Sequence, residues 1–180
     1  MSFTFETVVE DVRTAAASSM PNEEIRLVLE RYVADPEPVI AATEVDGEDE
    51  IMLYQDEQVS IWRCRFQPHV TMPPHEHRLK VHIAAYSGGE KNILFKRDGG
   101  QLQHERTHIV KAGEVFTLED DGIHAVVGDG EKPSLALHVY MGPLTTLKRD
   151  LFDWETGEPV EFSMDNFDKM KRHSAELPEY

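Results

Sequence analysis

Among the nine histidines of this 180-residue chain, His75 and His77 are spaced to share an ion. On a β-strand, residues i and i+2 project from one face, so both imidazoles can reach a single centre. Pro73-Pro74 immediately upstream stiffens their approach. Two surface histidines beside a turn would show the same local pattern, so the wider spacing has to decide. A second pattern, His104-Glu105-Arg106-Thr107-His108, is a literal HExxH. That chemistry needs both histidines on one face of a helix with the glutamate as base. Here the segment follows Gly99-Gly100 and runs into the strand-like Thr107-His108-Ile109-Val110, so it reads as a chance match on an outer strand. His69 and His173 fall in no usable pattern. There is no GxGxxG before a helix, no phosphate loop and no GxSxG.

The elements that must position these side chains change character along the chain. Phe5, Val8, Val9 and Val12 fall at helical spacing. Met20-Pro21-Asn22 then punctuates, Asn22 is placed to cap a second helix, and Asp35-Pro36 ends it. From Val39 onward, short runs rich in Val, Ile, Leu, Tyr and Phe are broken by turn-favouring pairs such as Asp46-Gly47, Gly88-Gly89, Asp98-Gly99 and Asp121-Gly122. Strands are expected near 38–43, 51–54, 58–66, 79–86, 91–96, 102–110, 114–118, 124–127, 134–141 and 145–152. The expected fold is mainly β, a barrel or sandwich behind an N-terminal pair of helices. It reads as a single domain spanning 1–180: a helical segment 1–35, a barrel 36–157 and a tail 158–180 that holds a short helix or frays.

Composition narrows the partners. With 34 acidic against 18 basic residues the formal charge is −16. Nucleic acid and anionic membranes would repel most of that surface, so neither is expected as a partner. No apolar run is long enough to span a bilayer. The first residues, Met1-Ser2-Phe3-Thr4-Phe5-Glu6, carry no secretory pattern, which makes the cytoplasm the expected location. The single cysteine, Cys64, excludes an internal disulfide and reads as a small packed thiol on a strand face with Trp62 and Phe66.

The histidine spacing resembles the two-motif signature of the cupin superfamily. The first motif reads His75-x-His77-x4-His82-x6-Gly89, with histidine where many cupins carry glutamate; the second reads Gly113-x10-His124. Closer still, Gly122-Ile123-His124 followed by Ala136-Leu137-His138-Val139-Tyr140 resembles the cysteine dioxygenase (thiol dioxygenase) branch, which pairs a Gly-x-His ligand with a Ser-x-His-x-Tyr strand. This resemblance implies a cupin double-stranded β-helix, a jelly-roll barrel. It implies His75, His77 and His124 as metal ligands, and His138 with Tyr140 as the pair acting beside the substrate. Fe(II) is the metal it implies, although three imidazoles also suit Zn, Ni or Cu.

Departures from that branch bear on the substrate. Ala136 replaces the serine, and His82 stands where animal cysteine dioxygenases carry the cysteine that crosslinks to tyrosine. The arginine expected near Ile51-Met52-Leu53-Tyr54 is missing. Arg63 and Arg65 share a strand face and become candidates to hold a substrate carboxylate if that face lines the barrel. His82 is read as a donor beside the metal, with a fourth ligand or a core histidine as the alternatives. The segment from Leu144 to Gly157 resembles the closing segment of bacterial relatives, with no function attached.

The expected activity is therefore a metal-dependent dioxygenase that oxidises a small anionic molecule, first of all a thiol, with O2. Two alternatives stand beside it: C–C cleavage of a diketone-like substrate, and a non-catalytic cupin that binds metal or a small ligand. A homodimer is allowed by the superfamily resemblance. Charge is uneven in a way that favours an anion: residues 58–97 carry seven basic and two acidic side chains, +5 in a chain of −16.

Overall fold

Three helices lead into the sheets: α1 (Phe5–Ala16), α2 (Pro21–Ala34) and α3 (Pro36–Thr43). The computed structural model describes residues 3–44 and 48–180, so the turn expected at Asp46-Gly47 lies outside the described residues. α1 buries Val8, Val12 and Ala15, and α2 buries Ile25, Val28, Leu29, Tyr32 and Val33, each set following the helical repeat. Met20 rather than Asn22 precedes α2, with Pro21 at its first position.

The third helix replaces the strand expected over 38–43. Pro36 and Pro38 sit in its first turn, where missing N–H groups cost nothing. Val39 and Thr43 bury one face, and the Thr43 hydroxyl donates to the Val39 carbonyl at 2.7 Å. A short apolar run such as Val39-Ile40-Ala41-Ala42 suits either state, and packing against α1 and α2 chooses the helix. The N-terminal helices are thus three, and the barrel begins later than residue 36.

The strands are β1 (Glu50–Gln55), β2 (Ser60–Cys64), β3 (Val70–Thr71), β4 (His75–Glu76), β5 (Val81–Ser87), β6 (Gly89–Asp98), β7 (Gln101–Lys111), β8 (Glu114–Leu118), β9 (Ile123–Asp129), β10 (Leu135–Tyr140), β11 (Asp150–Phe152), β12 (Pro159–Glu161) and β13 (Arg172–His173). One antiparallel sheet runs β1-β2-β10-β5-β8 and the other β12-β11-β4-β9-β6-β7. The strand expected over 145–152 is divided: a 3-10 turn at Leu144–Thr146 follows Gly142-Pro143, and only Asp150–Phe152 pairs as β11. The tail adds β12, helix α4 (Met164–Met170) and β13, the last paired with β3.

Side-chain parity separates two environments. Ile61 on β2, Ala84 on β5, and Leu137 and Val139 on β10 face outward and pack with Val8, Val12, Ile25 and Leu29 of the helices. Their neighbours Val81, Ile83, Ala85, Ala136 and Tyr140 face inward and meet Leu94 from the opposite sheet. Each fully buried Leu or Ile contributes roughly 1.5–3 kcal/mol. Burial on both faces therefore makes the register of β5 and β10 costly to slip, because a one-residue shift would send His138 and Tyr140 to the wrong side.

Candidate metal centre

His75 and His124 stand directly opposite each other across the β4–β9 pair. Their Nε2 atoms are 3.2 Å apart, and His77 Nε2 lies 3.1 Å from that of His75. One ligand nitrogen from each of the three falls within 4.8 Å of the others, and all three side chains are buried. The His75 Nδ1–H donates to the Pro73 carbonyl at 2.8 Å, and the His124 Nδ1–H donates to the Asn92 side-chain oxygen at 2.6 Å. Both bonds place the proton on Nδ1 and leave the Nε2 lone pair facing the centre.

Bare lone pairs at this separation repel one another unless a cation sits among them. Burial opposes protonation of each ring: it pushes His75 down to about 3, and burial with the neighbouring imidazoles holds His77 and His124 well below the usual histidine range. Two imidazoles on one ion at about 2.1 Å each, on adjacent coordination positions, bring their nitrogens roughly 3 Å apart. The donor set therefore fits a divalent transition metal, which three neutral imidazoles would leave with its full charge and open positions.

Two further features adjoin the three rings. Tyr140, on β10, packs its ring edge-on to His77 at 4.9 Å between centroids, and its hydroxyl lies 3.3 Å from His138 Nδ1. His138 Nε2–H donates to the Glu90 carboxylate at 2.9 Å, with both residues fully enclosed. Burial alone would pull His138 down. Cys64, Glu90 and Tyr140 outweigh it and hold the ring well above the ordinary histidine value. Burial pushes the Cys64 thiol up from its ordinary value.

A cavity of about 780 Å³ opens onto His75, His77 and Tyr140. Trp62, Phe162 and Phe167 supply apolar wall, and Glu50 and Arg149 supply charge. The Arg149 guanidinium lies over the Phe162 ring at 3.3 Å and makes no hydrogen bond or ion pair among the described residues. Burial lowers its pKa, and Tyr140, Glu50 and Glu76 oppose that shift.

No family model matches the chain, and no curated protein matches its sequence. Among solved structures it is similar to a protein with a double-stranded β-helix domain from Klebsiella pneumoniae (16% identity, TM-score 0.45, covering 63% of this chain and 87% of that one). Another is hydroquinone 1,2-dioxygenase from Sphingomonas sp. TTNP3 (12% identity, TM-score 0.46, 58% and 72%). A third is the DMSP lyase of Ruegeria pomeroyi DSS-3 (15% identity, TM-score 0.41, 51% and 42%), of which the chain spans less than half the length. The chain itself is mainly β, two antiparallel sheets behind N-terminal helices. At these identities the likeness carries no chemistry across.

Several expected site residues lie elsewhere in the fold. His82 has the outward parity of Ala84, and its Nδ1 and Nε2 are within 2.9 Å of the Thr117 hydroxyl and 3.4 Å of the Asn22 side-chain oxygen. It is a buried histidine beneath α2, not a donor beside the metal. Arg63 shares the outward parity of Ile61 and donates to the Glu48 carbonyl; Arg65 pairs with Asp49 at 2.6 Å. Neither lines the cavity, because alternation puts Trp62 there instead. Arg78 pairs with Glu76 and Asp150, and Lys80 with Glu119. Cys64 is packed against Phe66, Met72 and Val126, as expected of a small core thiol. The HExxH segment lies on β7, at the edge of its sheet, where four residues span about 13 Å and cannot share an ion.

Sequence reasoning missed Glu90, Asn92 and Arg149. The first two alternate with Leu94 along β6, so polar side chains at inward positions of an otherwise apolar strand were the available signal. Arg149 lies in the Leu144 to Gly157 segment already noted, but only the closure of that segment over the barrel brings it to the site.

Proposed function

We propose that this chain is a cupin-fold Fe(II) dioxygenase that oxidises a small thiol bearing a carboxylate, with O2 as co-substrate. The observation that carries the reading is a cavity that joins two of the three convergent imidazoles, His75 and His77, to the Tyr140 ring and to an arginine with no ion pair among the described residues. His75, His77 and His124 would hold the metal, which supplies the oxidative chemistry toward O2 and favours the thiolate form of the substrate.

The chain's own groups do the rest. Arg149, whose guanidinium carbon sits 3.3 Å from the Phe162 ring centroid, carries a planar fork suited to a carboxylate. Burial pushes the Glu50 carboxyl, which shares the cavity, above its ordinary value. With Nε2–H held on Glu90, His138 turns Nδ1 to the Tyr140 hydroxyl at 3.3 Å and orients it beside the cavity. Trp62, Phe162 and Phe167 give the cavity an apolar wall.

The test is metal analysis of protein purified without chelator, followed by oxygen-electrode assays after iron is restored, against mercaptocarboxylates, uncharged thiols and β-diketones. Oxygen uptake with mercaptocarboxylates above uncharged thiols supports the proposal. Uptake with diketones alone would replace it by C–C cleavage, and tight binding without turnover in any metal form would replace it by a binding module.

A further inference from the structure

Glu90 touches neither the proposed metal nor the cavity, yet both halves of the site end on it. It is fully buried on β6, two residues before Asn92, and both point into the barrel with Leu94. One carboxylate oxygen accepts from His138 Nε2 at 2.9 Å; the other accepts from Asn92 Nδ2 at 3.1 Å. Asn92 in turn offers its oxygen to His124 Nδ1 at 2.6 Å. The path therefore runs from the His124 ring through Asn92, Glu90 and His138 to the Tyr140 hydroxyl without a gap.

Hydrogen-bond chemistry gives this path a direction. A carboxylate only accepts, so the Asn92 atom facing Glu90 must be its nitrogen, and the oxygen is turned to His124. An amide oxygen only accepts, so His124 must carry its proton on Nδ1, and its Nε2 lone pair is then free toward His75 and His77. On the other arm, His138 must carry a proton on Nε2, which leaves its Nδ1 to engage Tyr140. Ala136 has no polar side chain to orient His138, and Glu90 fills that need from the opposite sheet.

We propose that Glu90 is the positioning residue of the site, one buried carboxylate that sets the ring state of the ligand His124 through Asn92 and that of His138 directly. The second arm rests on the functional reading above; the first rests only on the metal centre.

Glu90→Gln makes the proposal testable because it conserves shape and breaks the logic. A glutamine can accept from one neighbour only and turns an N–H toward the other. Facing Asn92, it flips that amide, and His124 is pushed to the Nε2–H form that cannot hold a metal. Facing His138, it strips the proton from Nε2. The readouts are histidine ring ¹H–¹⁵N spectra of the full, metal-free chain and titration with Co(II).

In the wild type, His124 is expected as Nδ1–H and His138 with Nε2–H. In Glu90→Gln at least one of these rings changes state, and Co(II) affinity falls about 10–100-fold where His124 is the ring affected. Asn92→Ala weakens Co(II) by a similar factor while the His138 signals stay in place. Wild-type His124 in the Nε2–H form overturns the proposal, as does a folded Glu90→Gln with both rings and Co(II) affinity unchanged. Should Glu90→Gln not fold, the wild-type spectra and Asn92→Ala decide it. No substrate enters these measurements, so a failure to find oxygen uptake would count against the dioxygenase reading alone.

Discussion

His75 and His124 are register partners on adjacent antiparallel strands, and their Nε2 atoms face each other at 3.2 Å. Two residues 49 apart in the chain thus meet by strand pairing alone. His77 joins them because the chain leaves β4 immediately, with Arg78 in a left-handed conformation (φ 55°) that turns the backbone away. Two of the three rings are therefore carried on paired backbone, which suits a site that must hold geometry closely.

Removing one ring should empty the site without unfolding the barrel. His124→Ala is expected to lower Co(II) or Fe(II) affinity more than about 100-fold, beyond what loss of a supporting hydrogen bond costs. Metal analysis together with circular dichroism checks this. Full occupancy in the variant would dismiss His124 as a ligand.

Arg149→Met tests the anion anchor. A hydrogen-bonded charge pair is worth about 1.5–3 kcal/mol. KM for a mercaptocarboxylate should therefore rise roughly 10–100-fold, with a smaller change in kcat and none for an uncharged thiol. An equal loss for both substrates would mean that Arg149 holds the wall rather than the carboxylate.

Tyr140→Phe removes only the hydroxyl that lies 3.3 Å from His138. Metal affinity should stay at the wild-type value, while kcat drops about 10²-fold or more if the hydroxyl moves a proton during turnover. Unchanged kcat would restrict Tyr140 to packing against His77.

Acid should destabilise the fold partly through His82. Burial, with Lys80 adding to it, pushes this ring down to about 4. The unfolded ring titrates near 6.5. Between those values the unfolded chain takes up a proton that the fold refuses, so stability falls as pH drops from about 7 toward 4, by at most about 3 kcal/mol. Metal-free His82→Asn should show a shallower loss in denaturant titrations at pH 7 and pH 5. An identical pH slope would assign the acid sensitivity elsewhere.

Phe167 is the anchor of the tail. It is buried at 3% exposure, packs edge-on to His75 at 5.9 Å between centroids, and lines the cavity. Phe167→Ala should cost about 3–5 kcal/mol of stability. Denaturant unfolding measures it, and a change under 1 kcal/mol would show that the tail is not part of the core.

Much of the site was legible in local pattern. His138 and Tyr140, one residue apart on β10, share a strand face by alternation, and His75 and His77 have the same spacing although His77 lies just past the end of β4. The resemblance in spacing added His124, and the pairing of β4 with β9 brings it to His75. The same alternation ruled the outcome for Arg63, Arg65 and His82, but it states only that residues share a face, not which face is inside. That was decided by α1 and α2, whose apolar stripes cover Ile61, Ala84 and Leu137 and so turn the opposite parity toward the barrel.

By itself, the sequence determined the mainly β character, the positions of most strands and the paired spacings of His75 with His77 and of His138 with Tyr140, because these depend on neighbours two to four residues apart. Only the tertiary structure decided that Arg149 rather than Arg63 or Arg65 faces the cavity, that 36–43 is a helix, and that Glu90 joins His138 to His124. Those relationships are made between elements distant along the chain. They depend on which surfaces the helices and the closing tail bury, a choice that no local spacing records.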